Sequence, residues 1–239
     1  MNSKVYKNLY FRLSIILIAL AFSPNLYSQI YSLDKGWLAG IHGGAVSFYG
    51  DLSLHDWNPG KKLSEESKLG NGLFIGKQIN RVFTLKAKYL NGSMKGSNSA
   101  LGYSFKSDFK EYSIVSETSL LDLITQKNDS RFKYLLLLGG GFMNAKPVRY
   151  TSFNDTKEVA PELKETVLTA GLGVDYKLSR SLFLGVQADL HSTWSDKLDV
   201  YEGTATMKDD YYSYLSLNIT YIFNPTGRSF AEAMPCSPW

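Results

Sequence analysis

From residue 213 onward, the stretch YYSYLSLNITYIF (211–223) puts an apolar residue at every second position: Leu215, Leu217, Ile219, Tyr221 and Phe223. The positions between are Tyr214, Ser216, Asn218, Thr220 and Ile222. A period of two is the signature of a strand with two unlike faces. Seven further segments carry it: 36–49, 70–79, 82–92, 108–120, 132–144, 165–177 and 182–194. In the last of these Leu182, Leu184, Val186, Ala188 and Leu190 oppose Phe183, Gly185, Gln187, Asp189, His191 and Thr193. In 165–177, Leu168, Ala170, Leu172, Val174 and Tyr176 oppose Thr169, Gly171, Gly173 and Asp175. Helical signals are scarce; residues 115–126 offer a turn or two.

The connections sort into two kinds. Long ones at about 50–69, 93–107, 145–164 and 195–210 are rich in Gly, Asn, Asp, Ser and Lys, as exposed loops are. Between them fall tight turns at Asn80-Arg81 and 178–181 and an intermediate connection at 121–131. This alternation predicts an all-β, eight-stranded antiparallel up-and-down transmembrane β-barrel, with long loops outside and short turns in the periplasm. An even strand number puts both termini on the periplasmic side. Apolar faces then meet lipid, and polar faces meet the lumen. Gly72, Gly76, Gly171, Gly173 and Gly185 on the polar faces leave room for long side chains to cross it.

The N-terminus sharpens this picture. Lys4, Lys7 and Arg12 precede the apolar run Leu13–Phe22, and Ser23-Pro24 then breaks it, the pattern of a secretory signal peptide cut after Ser28. The expected organisation is a leader at 1–28, the barrel at 29–223 and a short periplasmic tail at 224–239. No later stretch supplies the ~20 apolar residues of a membrane-spanning helix. Aromatic residues make up 14% of the chain, and Trp37, Phe48, Tyr49, Tyr89, Tyr112, Trp194, Tyr211, Tyr212, Tyr221 and Phe223 lie near strand ends, where interface girdles form. The net charge of +4 is spread without a basic stripe, so no nucleic-acid partner is expected. A single cysteine, Cys236, excludes a disulfide framework and a Cys-based metal site.

Chemistry along the chain is sparse. His191 and Thr193 share a face, with Glu202 further on, but the pair points inward. That weakens the alternative of a lipid A-modifying enzyme, which needs a nucleophile hydrogen-bonded to an acid-oriented base. Asp196, Asp199, Glu202, Asp209 and Asp210 lack the spacing of a calcium loop and read as solvated acids. The constellation that stands out is a luminal charge network of Lys86, Lys88, Glu111, Glu117, Asp175 and Asp189, the lysines pairing with the acids. It reads as a plug, since eight strands leave no open channel. No catalytic residue, metal or cofactor is expected.

Several stretches carry a family resemblance: SFYGDLS (47–53), GLFIGKQINRVFTLKAKY (72–89), GLGVDYKLSRSLFLGVQADL (171–190), and SDKLDVYEG (195–203) followed by 211–223. Over about 36–223 the chain resembles the small OmpA-like outer-membrane β-barrels of Bacteroidota, which include PorG-like barrels of type IX secretion. The resemblance implies a non-enzymatic outer-membrane protein with a structural or adaptor role, in contact with outer-membrane lipid and with a protein partner of a secretion or envelope complex. The tail at 224–239 is too short for the peptidoglycan-binding domain of some OmpA proteins. A soluble periplasmic barrel holding an apolar ligand is the remaining alternative.

Overall fold

The computed structural model describes residues 36–50, 53, 58–98, 103–125, 130–151, 156–159, 161–193 and 210–223. The expected leader and tail, Trp194, Asp196, Asp199, Glu202, Asp209 and Cys236 lie outside these residues. The strands are β1 (Trp37–Tyr49), β2 (Lys68–Gln78), β3 (Phe83–Asn98), β4 (Tyr103–Ser119), β5 (Phe132–Thr151), β6 (Thr156–Val159), β7 (Leu163–Lys177), β8 (Leu182–Thr193) and β9 (Tyr211–Phe223). Each pairs antiparallel with its neighbours, and β1 pairs with β9 while β4 pairs with β5, so the sheet closes on itself. Both β6 and β7 lie along the same edge of β5, meeting it at Val148↔Val159 and Ala145↔Leu163. They are one strand, broken where Pro147 and Pro161 cannot donate to the ladder. The result is a closed eight-stranded antiparallel barrel.

The turns follow from their residues. Asn80 Oδ1 accepts from the backbone N–H of Val82 (2.8 Å) and of Phe83 (2.7 Å), and Ser179 Oγ accepts from those of Ser181 (3.3 Å) and Leu182 (3.1 Å). The intermediate connection contains a short helix, Leu120–Ile124, whose Asp122 receives Arg81 Nε at 3.1 Å and Ser119 Oγ at 2.6 Å. These connections define the turn end of the barrel; the opposite rim is the loop end. There, the first loop holds the buried Lys62, which bonds Glu66 at 2.8 Å and lies over the Tyr49 ring.

Two loops proved shorter than the sequence predicts. The β3–β4 hairpin continues through 93–98 and 103–107, and β5 runs on to Thr151. Their outward residues are polar and resemble a loop. Their inward residues, including Met94, Phe105 and Ala145, are buried and apolar and pack with Phe109 and Met143 of the expected strands.

Outside, the apolar faces form a band, broken on β4 by the small hydroxyl residues Ser116 and Thr118. The outward positions of β5 run Phe132, Tyr134, Leu136, Leu138, Gly140 and Phe142. At ~3.3 Å per residue and a tilt of ~40°, that stretch is about 25 Å tall. The outward positions from Leu168 to Tyr176, Leu182 to Leu190 and Leu215 to Phe223 contain no Lys, Arg, Asp or Glu. Aromatic residues edge the band: Trp37, Phe132, Tyr176, Tyr221 and Phe223 at the turn end, and Tyr89, Tyr112 and Phe142 at the loop end. Phe48 and Tyr212, expected in these girdles, instead point inward and are fully buried. Parity places them on the luminal face, above the level of the band.

Candidate functional site in the barrel interior

The six charged residues singled out in the sequence all lie on luminal faces and are buried. Lys86 and Lys88 come from β3, Glu111 and Glu117 from β4, Asp175 from β7 and Asp189 from β8. Their positions follow from strand parity; their partners follow from register between neighbouring strands and from closure.

Lys86 Nζ meets Glu117 Oε1 at 2.7 Å and sits over the Phe74 ring at 4.3 Å. Glu117 Oε1 also accepts from Gln187 Nε2 on β8, at 3.2 Å. Lys88 Nζ meets Asp189 Oδ2 at 3.0 Å. Going round the ring, β3 and β8 are four strands apart, so this pair spans the full width of the lumen. Glu111 meets no lysine. Its Oε2 faces His191 Nδ1 at 3.1 Å and accepts from the Tyr212 hydroxyl on β9, the strand opposite β4. The His191 and Tyr212 rings stack at 4.6 Å, and Thr169 Oγ1 lies 3.1 Å from His191 Nδ1. These cross-lumen ties replace solvation of the charged groups with fixed partners, which is the condition for keeping charges away from water.

Asp175 stands apart. It makes no ion pair among the described residues, and its Oδ1 has no hydrogen-bond partner. It lies over Gly185 on β8, where a Cβ would come within 2.0 Å of that oxygen. Asp189 lies over Gly171 in the same way, at 2.3 Å. Glycine on one strand therefore makes space for the carboxylate of the next. Asp175 lines a cavity of about 40 Å³ at the turn end, together with Gln78, Thr84, Lys86, Lys133 and Thr220. That is room for about two or three water molecules.

A second tie was not foreseen. His42 on β1 donates through Nε2 to the Tyr89 carbonyl at 3.1 Å, and its Nδ1 lies 2.9 Å from the Tyr214 hydroxyl. In the sequence, His42 sits among glycines on both faces of β1, so alternation gave it no side. Gln187 and Tyr212 were also missed as network members. Gln187 lay on the polar face of β8 and could have been found there; Tyr212 reads as a girdle residue.

The pair considered for catalysis is separated by its bonding. Thr193 donates its hydroxyl to the Asp210 carbonyl at 2.8 Å, while His191 turns to Glu111 and Thr169. Asp210, read as a solvated acid, is buried. Among the described residues no group of acids, histidines or cysteines is placed to hold a metal ion.

Toward the loop end the lining changes. Val46, Phe48, Leu90, Met94, Phe105, Phe109, Met143, Ala145, Val167, Tyr212 and Tyr214 form one buried apolar cluster inside the barrel. Phe48 and Phe105 pack edge-on at 4.6 Å, and Phe109 lies 5.2 Å from Tyr212. The charge network lies beneath this plug.

No family model matches the chain, and no curated protein matches it. Among solved structures, it is similar to Neisserial surface protein A at 13% identity, over 78% of this chain and 97% of that one, with a TM-score of 0.47. It is similar to Ail, the attachment invasion locus protein of Yersinia pestis, at 15% identity over 80% and 99%, with a TM-score of 0.46. The outer membrane protease OmpT from Escherichia coli is similar at 10% identity over 81% and 99%, with a TM-score of 0.42.

Proposed function

We propose that this chain is a bacterial outer-membrane barrel with a closed lumen, acting without catalysis in a structural or adaptor role. The observation that carries the reading is the contrast between the two faces of one sheet. An apolar band about 25 Å tall covers the outside, the height expected of a membrane-spanning barrel. Buried ion pairs fill the inside. A soluble barrel would put these faces the other way round, with the greasy side lining a cavity. The plug and the cross-lumen pairs support a filled interior rather than a conduit. The burial of His191 beneath the plug supports the non-catalytic reading over a lipid A-modifying enzyme, whose base would have to reach a lipid outside the wall.

Both termini are placed in the periplasm, with the loop end facing out. The family resemblance extends the adaptor reading to an accessory of type IX-like secretion or another envelope complex, the loops or the turn end engaging a protein partner. Fractionation of the native cells tests the core of the proposal. The expected result is a chain that leaves the outer membrane only with detergent and shifts its gel mobility on boiling. Free release with the periplasmic fraction would overturn it. Crosslinking in the same cells tests the partner: capture of secretion-machinery subunits supports the accessory role, and their absence from every crosslinked product refutes it.

A further inference from the structure

The outer wall above the apolar band is not uniform. Tyr89, Tyr112 and Phe142 are paired across β3, β4 and β5 and mark the upper edge of the band. The next outward row reads Asn91, Lys110, Asn144 and Lys164 across β3, β4, β5 and β7. Above it come Ser93, Asp108 and Lys146, and then Lys95, Lys106 and Val148. Neighbouring strands lie ~4.8 Å apart and same-face residues ~6.7 Å apart, so five lysines rise from a patch of roughly 14 by 14 Å. Among the described residues two acids share this face: Asp108, 3.6 Å from Lys106 and also accepting from Ser93 Oγ at 2.6 Å, and the exposed Glu162, two residues before Lys164. Lys95 and Lys106 stand directly opposite each other, a like-charge pair that weakens the sheet. On the far wall the outward positions toward the loop end are Ser47, Tyr49, Ser192, Tyr211 and Ser213, with no charge. The lysines are thus gathered on one wall, in three successive rows above an apolar surface.

We propose that this lysine wall binds the phosphorylated headgroup of an outer-leaflet glycolipid of the lipid A type. The inference rests on the outer-membrane reading, with the loop end outward. Two features select an amphiphile over a soluble polyanion. The patch is continuous with the band, so acyl chains lying along Leu85, Ile114 and Leu138 deliver phosphates to Lys110 and Lys164, the row next to the aromatic edge. Juxtamembrane lysine clusters attract anionic lipid headgroups. Bound phosphate would also relieve the Lys95–Lys106 repulsion.

The test uses the purified full-length barrel in neutral detergent, with binding of diphosphoryl lipid A compared with fully dephosphorylated lipid A. The expected result is preference for the phosphorylated form, lost at least tenfold in Lys110→Gln/Lys146→Gln/Lys164→Gln. Lys77→Gln/Lys177→Gln, at the turn end, should bind as wild type does. Heat-modifiable gel migration of each variant shows that it is folded. A folded triple variant that binds as wild type, or a wild type indifferent to the phosphates, overturns this proposal alone. A heparin fragment that binds more tightly than lipid A and displaces it also overturns it, in favour of a soluble polyanion. A chain that is not heat-modifiable and needs no detergent overturns the outer-membrane reading on which it rests.

Discussion

Below His42 the lumen wall is built from Lys86, Glu117, Gln187, Asn218 and Asp175; above Val46 it is built from Phe48, Met94, Phe105, Phe109 and Met143. The same strands supply both halves, with the same parity. What differs is the outside of the wall. In the lower half the exterior is apolar, so the interior is where the polar half of each strand goes, and its charges are satisfied across the lumen. In the upper half the exterior is polar, with lysines gathered on one wall, and the interior becomes an ordinary apolar core. The barrel inverts along its axis, at about the level of Tyr89, Tyr112 and Phe142. The inversion teaches that the alternation of each strand reports the medium outside the wall at that height.

The two halves should fail differently. The largest effect is expected from Glu117→Ala, which strands Lys86 and Gln187: breaking a buried pair costs about 3–5 kcal/mol. In urea unfolding from lipid vesicles, Lys86→Met/Glu117→Leu should recover most of that loss. If the double variant is no better than the single one, the lower half is not held by charge pairing. Phe109→Ala in the plug should cost about 3 kcal/mol by the same measurement, the cavity term of a large apolar deletion. No polar rescue should exist there; Phe109→Leu should recover part of the loss and Phe109→Gln none. Leu217→Arg, on the exterior at mid-band, should cost about 2–3 kcal/mol in vesicles. An equal charge placed above the band, Val148→Arg, should cost under ~1 kcal/mol, the like-charge contact with Lys106 opposite it, and equal costs at the two heights would erase the inversion. The smallest effect is expected from Asp108→Asn. Its pair with Lys106 is exposed and should contribute under ~1 kcal/mol.

Much of the lower half was legible in the chain. The faces of β7, β8 and β9 separate cleanly in the sequence because a charge-free outward face leaves no ambiguity about side. The luminal placement of Lys86, Lys88, Glu111, Glu117, Asp175 and Asp189 follows from the same alternation. The pairing does not. Glu117 rather than Asp175 receives Lys86, and Glu111 goes to His191 and Tyr212, because those choices depend on register and on which strands face each other across the closed ring. The upper half was hardly legible. Residues 93–98 and 103–107 are outwardly polar and rich in Ser and Lys, the composition of a loop, and only their buried Met94 and Phe105, packed in the plug with Phe109, make them strands. Phe48 and Tyr212 were misplaced for the same reason, since an aromatic near a strand end fits a girdle or a plug equally well.

The sequence by itself determined the strand count, the closed up-and-down topology, the placement of the tight turns and which face of each lower strand carries charge. These depend on local alternation and turn chemistry, which neighbouring residues along the chain suffice to set. Only the tertiary structure decided who pairs with whom across the lumen, that the loop end is sealed from within, and that five lysines from β3, β4, β5 and β7 come to stand on one wall. Each of these joins residues from different strands, and only the register between neighbouring strands and the closure of the sheet bring those residues within reach.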